Sequence, residues 1–421
     1  MTIQSRRFDR RTFLKLAAGG MAAANLPSIL RASADAAPQT AVFSVTDIPA
    51  DPFPIDIRPN AHVGIDALLR LLSRGGLKFY RTATAPTTLA GSRGLIAADD
   101  VVIIKVNAQW KYRGTTNSDL VRGLIQRILD HPLGFRGEIV MIENGQGRGS
   151  LNCDVTGSGY PDGGVQANAV DETQSFLRLV DRVFRDSRVS ALLLDPYRNV
   201  FVGSDDHVTT GYRRYENVSY PCFTTGQGRR VELKEGIWTG NGYSQNLKLI
   251  SVPVLKTHDG SEFTGAMKHF YGVLSMSDGQ SGFRHYDGLG ETCGKMVVSV
   301  RTPVLNILDA IWVSHNSLAG YPASETFNAG QIAASQDPLA LDAWACRNIL
   351  YAYDRYPSHN PDNAAITKWM TDAASIINGR GGLYNPGRCI FAGEATFREE
   401  NMLVFQSRTF DPRRSGPKGT E

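Results

Sequence analysis

Cysteine is scarce in this chain: five residues (Cys153, Cys222, Cys293, Cys346 and Cys389) among 421, with no Cys-x-x-Cys pair. That spacing argues against a ferredoxin-type iron-sulfur cluster and against a compact zinc site. The odd count leaves at least one thiol unpaired within the chain, with room for one or two disulfides in an oxidising compartment. Also missing are an internal repeat, a Gly-x-Gly-x-x-Gly phosphate loop and a His-x-x-x-His pair. Glu143-Asn-Gly-Gln-Gly-Arg-Gly149 alternates glycines after an apolar run, but it lacks the nucleotide-loop spacing and leads into a long loop. Beyond the N-terminus no apolar run approaches the roughly 18 residues that a membrane helix needs.

Surplus charge is missing too, once the N-terminus is set aside. Residues 1–36 carry a basic start, a weakly apolar stretch and an Ala34-Asp35-Ala36 cleavage pattern, the layout of a signal peptide. Within it, Asp9 to Lys15 (DRRTFLK) has the form of a twin-arginine export signal, Arg10-Arg11 being the pair. The expected partner is therefore the twin-arginine export machinery, and the expected location periplasmic or otherwise exported. Such export carries folded proteins, so a cofactor loaded beforehand stays open. Of 45 basic and 41 acidic residues, six and two lie in residues 1–36, which leaves 39 of each in the remainder. A neutral remainder offers no basic nucleic-acid surface.

What is present is an ordinary globular composition, 42% hydrophobic and 20% charged. Apolar, β-branched runs recur at 101–107, 138–144, 190–196, 247–256 and 303–313. Continuous runs of this kind suit strands buried on both faces. Helical spacing appears between them at 118–131 and 171–186, the second opening on Asp171 and Gln174 as a capping box, and again at 361–378. The expected fold is α/β, a mainly parallel sheet flanked by helices in one domain over 37–410, with a disordered tail at 411–421. Long glycine-rich loops at 144–169, 203–246 and 275–294 interrupt it, and loops of that length are commonly lids or binding loops. The middle one holds a small β-hairpin, 217–225 and 229–238 around Gly-Gln-Gly.

Ligands of open parallel sheets sit beyond the carboxyl ends of the strands. The residues at which the apolar runs stop are polar each time: Lys105 with Asn107, Glu143 with Asn144, Asp195, Lys256 with His258, and Asp309. Lys105 and Asn107 share a strand face, as do Lys256 and His258. Lysines at strand ends can receive a phosphate or carboxylate, and a desolvated lysine can also act as a base or an imine-forming nucleophile. The stretch 264–274 reads as a helix with Gly265 and Gly272 on one face and Lys268 near Thr264, while His269 points elsewhere. In 334–354, Asp337 and Pro338 form a helix start, and Asp342 follows beside apolar neighbours.

At VPVLKTH (252–258) with TGAMKHFYG (264–272), and again at LNILDAIWV and SQDPLALDAWA, the chain resembles the family called domain of unknown function 362. The resemblance spans about residues 100–350. It implies a strand-end Lys-x-Asn at Lys105 and Asn107, Lys-Thr-His at Lys256 and His258, and a glycine-bounded lysine at Gly265, Lys268 and Gly272. It also implies a strand-end Asp309 and an Asp-Pro-x-Ala-x-Asp motif at Asp337 and Asp342. His269 stands where relatives more often have Asn. The cysteine-rich iron-sulfur segments that many relatives carry are absent, so the resemblance supplies no cofactor, and it names no reaction.

Three functional classes follow. In the first, Lys105, Asn107, Glu143, Thr264, Lys268 and His269 hold a small anionic ligand, with His258, Lys256, Asp309 and Asp342 as candidate catalytic groups. In the second, the same crevice binds without turnover, as in an exported binding or assembly protein. In the third, His258, Asp259, His269, His285 and the strand-end acids hold a metal loaded before export.

Overall fold

The β-branched runs form strands because they can be buried on both sides. The computed structural model of the protein describes residues 40–53, 59–157, 159–161, 163–197, 199–279, 281–379 and 402–408. The expected signal peptide, the expected tail and Cys389 lie outside these residues. A ten-stranded sheet forms the centre. Its strands are β1 (Thr40–Thr46), β2 (Val101–Val106), β3 (Glu138–Glu143), β4 (Val189–Leu193), β5 (Leu247–Val252), β6 (Val254–His258), β7 (Glu262–Thr264), β8 (Leu305–Ser314), β9 (Thr326–Ser335) and β10 (Met402–Arg408). The order across the main path is β10-β1-β9-β8-β5-β2-β3-β4. Strands β8, β5, β2, β3 and β4 run parallel; on this path only β9 pairs antiparallel, with its neighbours β8 and β1, and off it β7 pairs antiparallel with β6. The fold is thus α/β with a mainly parallel sheet, as the continuous apolar runs imply.

Alternation of side chains divides the sheet residues between two cores. Val101, Ile103, Val140, Ile142 and Leu249 face one cluster. It is completed by α3 (Leu289–Lys295), α4 (Pro338–Ala345) and α5 (Ala364–Gly379), which contribute Leu289, Leu339, Trp344 and Trp369. Val102, Ile104, Ile139 and Met141 face the other, against Leu68 and Leu72 of α1 (Val63–Arg74) and Leu120 and Leu124 of α2 (Ser118–Leu129). Lys105 has the parity of Val101 and Ile103, so it continues the first face beyond the apolar part of β2.

Asp337 caps α4 as its sequence position implies, accepting hydrogen bonds from Leu339 N and Ala340 N with Pro338 at the first turn. The expected hairpin at 217–238 is the centre of a five-stranded antiparallel sheet over 211–244. Two helix expectations need correction. The element over 171–186 starts only at Phe176, because Ser175 Oγ caps it at Arg178 N, while Asp171 accepts instead from Thr173. Residues 264–274 do not form an α-helix: Glu262–Thr264 pairs as β7 with β6, and a single 3-10 turn follows at Lys268–Gly272. The reason is that Glu262–Thr264 is taken into the ladder with β6, Thr264 pairing with Lys256.

Candidate functional site

Lys105 ends β2 and Glu143 ends the neighbouring β3, and their side chains meet with Nζ 2.5 Å from Oε2. Both are 2% exposed, which removes them from solvent screening. Burial pushes the lysine down and the carboxyl up to about 7, and each partner's charge opposes the other's shift. Gly272 is what makes room for this pair. A Cβ there would lie 2.3 Å from Lys105 Nζ and 2.6 Å from Glu143 Oε2. The Gly272 carbonyl also accepts from Asn144 N at 2.9 Å, fixing the turn against the end of β3.

Strand β5 stops at Pro253, and the chain continues as β6 alongside β8. Asn107 bridges this break, its Oδ1 accepting from Val254 N at 2.9 Å. Lys256 then extends into the protein, where Nζ donates to the carbonyls of Gly114 and Leu318, each at 2.9 Å. Among the described residues it has no ion pair with a carboxylate. Burial is the largest influence and lowers its pKa to about 7; Glu143 opposes this, while the charges of Lys268 and Lys105 add to it.

Lys268 begins the 3-10 turn and is 5% exposed. Its Nζ lies 3.0 Å from His285 Nε2 and 4.7 Å from the centre of the Tyr271 ring. Burial lowers it to about 8. The expected loop over 275–294 is in fact two short helical turns, Met276–Gly279 and Gly282–His285, followed by α3 from Leu289. His285 ends the second turn, its ring 5.2 Å from that of His258 and 5.3 Å from that of Tyr271. Burial, with Lys268 beside them, depresses His258 to about 2 and His285 to about 4, so both are neutral near pH 7. The Tyr271 hydroxyl donates to the Arg284 carbonyl, and Arg284 pairs with Asp278 at 3.2 Å, which fastens the loop over the lysines.

His269 is 2% exposed and holds Ser251 Oγ at 2.8 Å through Nδ1. Burial, then the fields of Lys105 and Lys256, keep it well below its usual range and therefore neutral. Thr264 is the register partner of Lys256 across β6 and β7.

Lys256 thus feels the charges of Glu143, Lys268 and Lys105, while His258 lies in the field of Lys268 and Lys256 and His269 in that of Lys105 and Lys256. Two acids lie elsewhere in the wiring. Asp309 stands mid-way along β8, not at its end, and accepts from Asn117 N at 2.7 Å and Ile311 N at 3.1 Å. It thereby fastens the cap of α2 to a bulge in β8. Asp342 in α4 accepts from Ala266 N at 2.6 Å and Met267 N at 2.9 Å, the two amides just before Lys268. Gly265 admits it, since a Cβ there would lie 2.2 Å from Asp342 Oδ1. Burial pushes both acids up to about 7 against these backbone bonds.

His285 has no counterpart among the residues that strand ends or motifs select. Its sequence signal is only a histidine within a long loop; its place over Lys268 is a product of tertiary folding. Asp195 accepts from Gly147 N at 2.7 Å, closing the loop after β3. Cys153, Cys222, Cys293 and Cys346 are free and buried. Among the described residues, no three His, Cys, Asp or Glu side chains come together as a metal group would require, and no helix is long and apolar enough to cross a membrane.

Residues 228–347 match the family model described as Domain of unknown function (DUF362). The match covers β5 to β9 and the whole of α4, and so contains Lys256, His258, Lys268, His269, His285, Asp309 and Asp342. No curated protein and no solved structure matches the chain.

Proposed function

We propose that the protein binds a small phosphate- or carboxylate-bearing ligand at the carboxyl ends of β2, β3 and β6, with Lys105, Lys256 and Lys268 as its receptors. The observation that carries this reading is the charge balance: three buried lysines with one carboxylate, Glu143, ion-paired among them. Among the described residues, Lys256 and Lys268 have no ion pair: they donate to carbonyls and a neutral imidazole and lie over aromatic rings, with the exposed Asp259 the carboxylate whose field reaches Lys268. Burying an ammonium without a counter-ion costs several kcal/mol, and an anion shared between two of them offsets that cost. Approach is from the side of His258 and His285, the partly exposed members of the group. His258 and His285, both neutral, are in place to accept or return a proton there. Export through Arg10-Arg11 remains part of the proposal.

A thermal-shift screen with inorganic phosphate, pyrophosphate, citrate and pyridoxine 5'-phosphate tests the reading. At least one of these anions should raise Tm, and Lys268→Ala should abolish the rise while leaving the unliganded protein folded. If no anion shifts Tm, or if the shift survives in both Lys268→Ala and Lys256→Met, the reading is wrong. For export, replacing Arg10 and Arg11 by lysine should leave unprocessed precursor in the cytoplasm.

A further inference from the structure

The three lysines are not equivalent. Lys105 has a carboxylate at 2.5 Å that engages its Nζ. Lys256 uses two N–H groups on fixed carbonyls, an arrangement that ties the 112–114 turn to the loop at Leu318. The single hydrogen bond of Lys268 among the described residues is to His285 Nε2, 3.0 Å away. An ammonium can only donate, so Nε2 accepts and the ring proton sits on Nδ1, which faces the Gly279 carbonyl at 3.4 Å. A neutral imidazole with its lone pair on a lysine ammonium is a nucleophile and its base within proton-transfer distance. The rings of His258, Tyr271 and Tyr286 confine that imidazole from three sides.

We propose that Lys268 is a covalent nucleophile that forms an imine with an aldehyde or ketone bearing a phosphate or carboxylate group, and that His285 carries its proton. The substrate class rests on the anion reading above, with Lys105 and Lys256 facing the anionic group. His285 Nε2 takes a proton from the Lys268 ammonium, and the freed lone pair attacks the carbonyl carbon. The C–N bond forms as the C=O π pair moves to oxygen, which receives the proton from His285. The carbinolamine nitrogen then passes a second proton through His285 to the hydroxyl, which leaves as water as C=N forms. Ammonium and carbonyl become protonated imine and water, with no proton gained or lost overall. The burial that lowers the lysine favours the neutral amine before attack.

The test uses pyridoxal 5'-phosphate, which joins an aldehyde to a phosphate, followed by borohydride reduction and peptide mapping of the whole protein. The reduced adduct should appear on Lys268 at least about tenfold faster than on exposed lysines such as Lys368, with pyridoxine 5'-phosphate competing. Lys268→Arg should lose the adduct, and His285→Gln should slow it by about 10²-fold and change its pH profile. Adducts confined to exposed lysines, or an unchanged rate in His285→Gln, overturn the imine. If pyridoxine 5'-phosphate still raises Tm in that case, the anion site stands and only the covalent step falls. If pyridoxal labels Lys268 as fast as its phosphate does and no anion competes, the imine stands and the anion site falls.

Discussion

Lys105 and Lys256 sit at corresponding ends of neighbouring strand paths, yet their surroundings give them different roles. Lys105 is locked to Glu143 with both groups out of water. Removing one partner strands the other, so Lys105→Met should cost ~3–5 kcal/mol in urea unfolding, and the Lys105→Met/Glu143→Leu double variant should recover most of it. A cost that stays the same in the double variant would show that the pair contributes through packing alone. Lys256 has carbonyl partners only, and its lowered pKa makes a separate prediction. Between its folded value of about 7 and an unfolded value near 10.5, the native state binds fewer protons than the unfolded state. Stability should therefore rise with pH across that window, by at most ~1.4 kcal/mol per pH unit. Denaturant midpoints from pH 7 to 10 should show this rise in the wild type and a smaller one in Lys256→Met, where Lys268 still contributes. The lysines were legible in the sequence because each ends an apolar run. Asn107, Asp309 and Asp342 were equally visible, but their partners are backbone amides distant in sequence, which no local pattern announces.

At the scale of elements, the two glycines around Lys268 have distinct jobs. Gly265 admits the Asp342 carboxylate to the amides of residues 266 and 267, and Gly272 admits the Lys105–Glu143 pair. The 3-10 turn is thus fastened at its start by α4 and at its end by β3, and Lys268 is aimed by both. Periodicity suggested a helix over 264–274 because it registers spacing, not the strand partner that takes residues 262–264. Asp342→Asn keeps one acceptor but leaves an amide unpaired, so it should cost ~1–3 kcal/mol. It should also weaken pyridoxine 5'-phosphate binding by about tenfold, ~1.4 kcal/mol, through misplacement of Lys268. Gly265→Ala should reproduce both effects, since its Cβ would displace the same carboxylate. Loss of stability with unaltered affinity would detach this wiring from the site.

Across the whole molecule, the parallel sheet brings β2, β3 and β5 side by side with their carboxyl ends together, and the break at Pro253 carries Lys256 further along β8. The apolar runs marked β2, β3, β4, β5 with β6, and β8, although β4 is half-buried beyond Val189. No such run marked β1, β7, β9 or β10, and the order β8-β5-β2-β3 and the folding of His285 onto Lys268 follow from long-range pairing. That is why His285 escapes a reading based on strand ends. The central claim is that buried lysines await an anion, and an anion would raise their pKa values and draw in protons. Calorimetric titration of pyrophosphate, citrate and pyridoxine 5'-phosphate at pH 8, in two buffers of different ionisation enthalpy, measures this directly. The account predicts saturable binding with net proton uptake by the protein, abolished in Lys268→Ala. Absence of binding by all three anions, or binding with no proton uptake and no loss in Lys268→Ala, would contradict it.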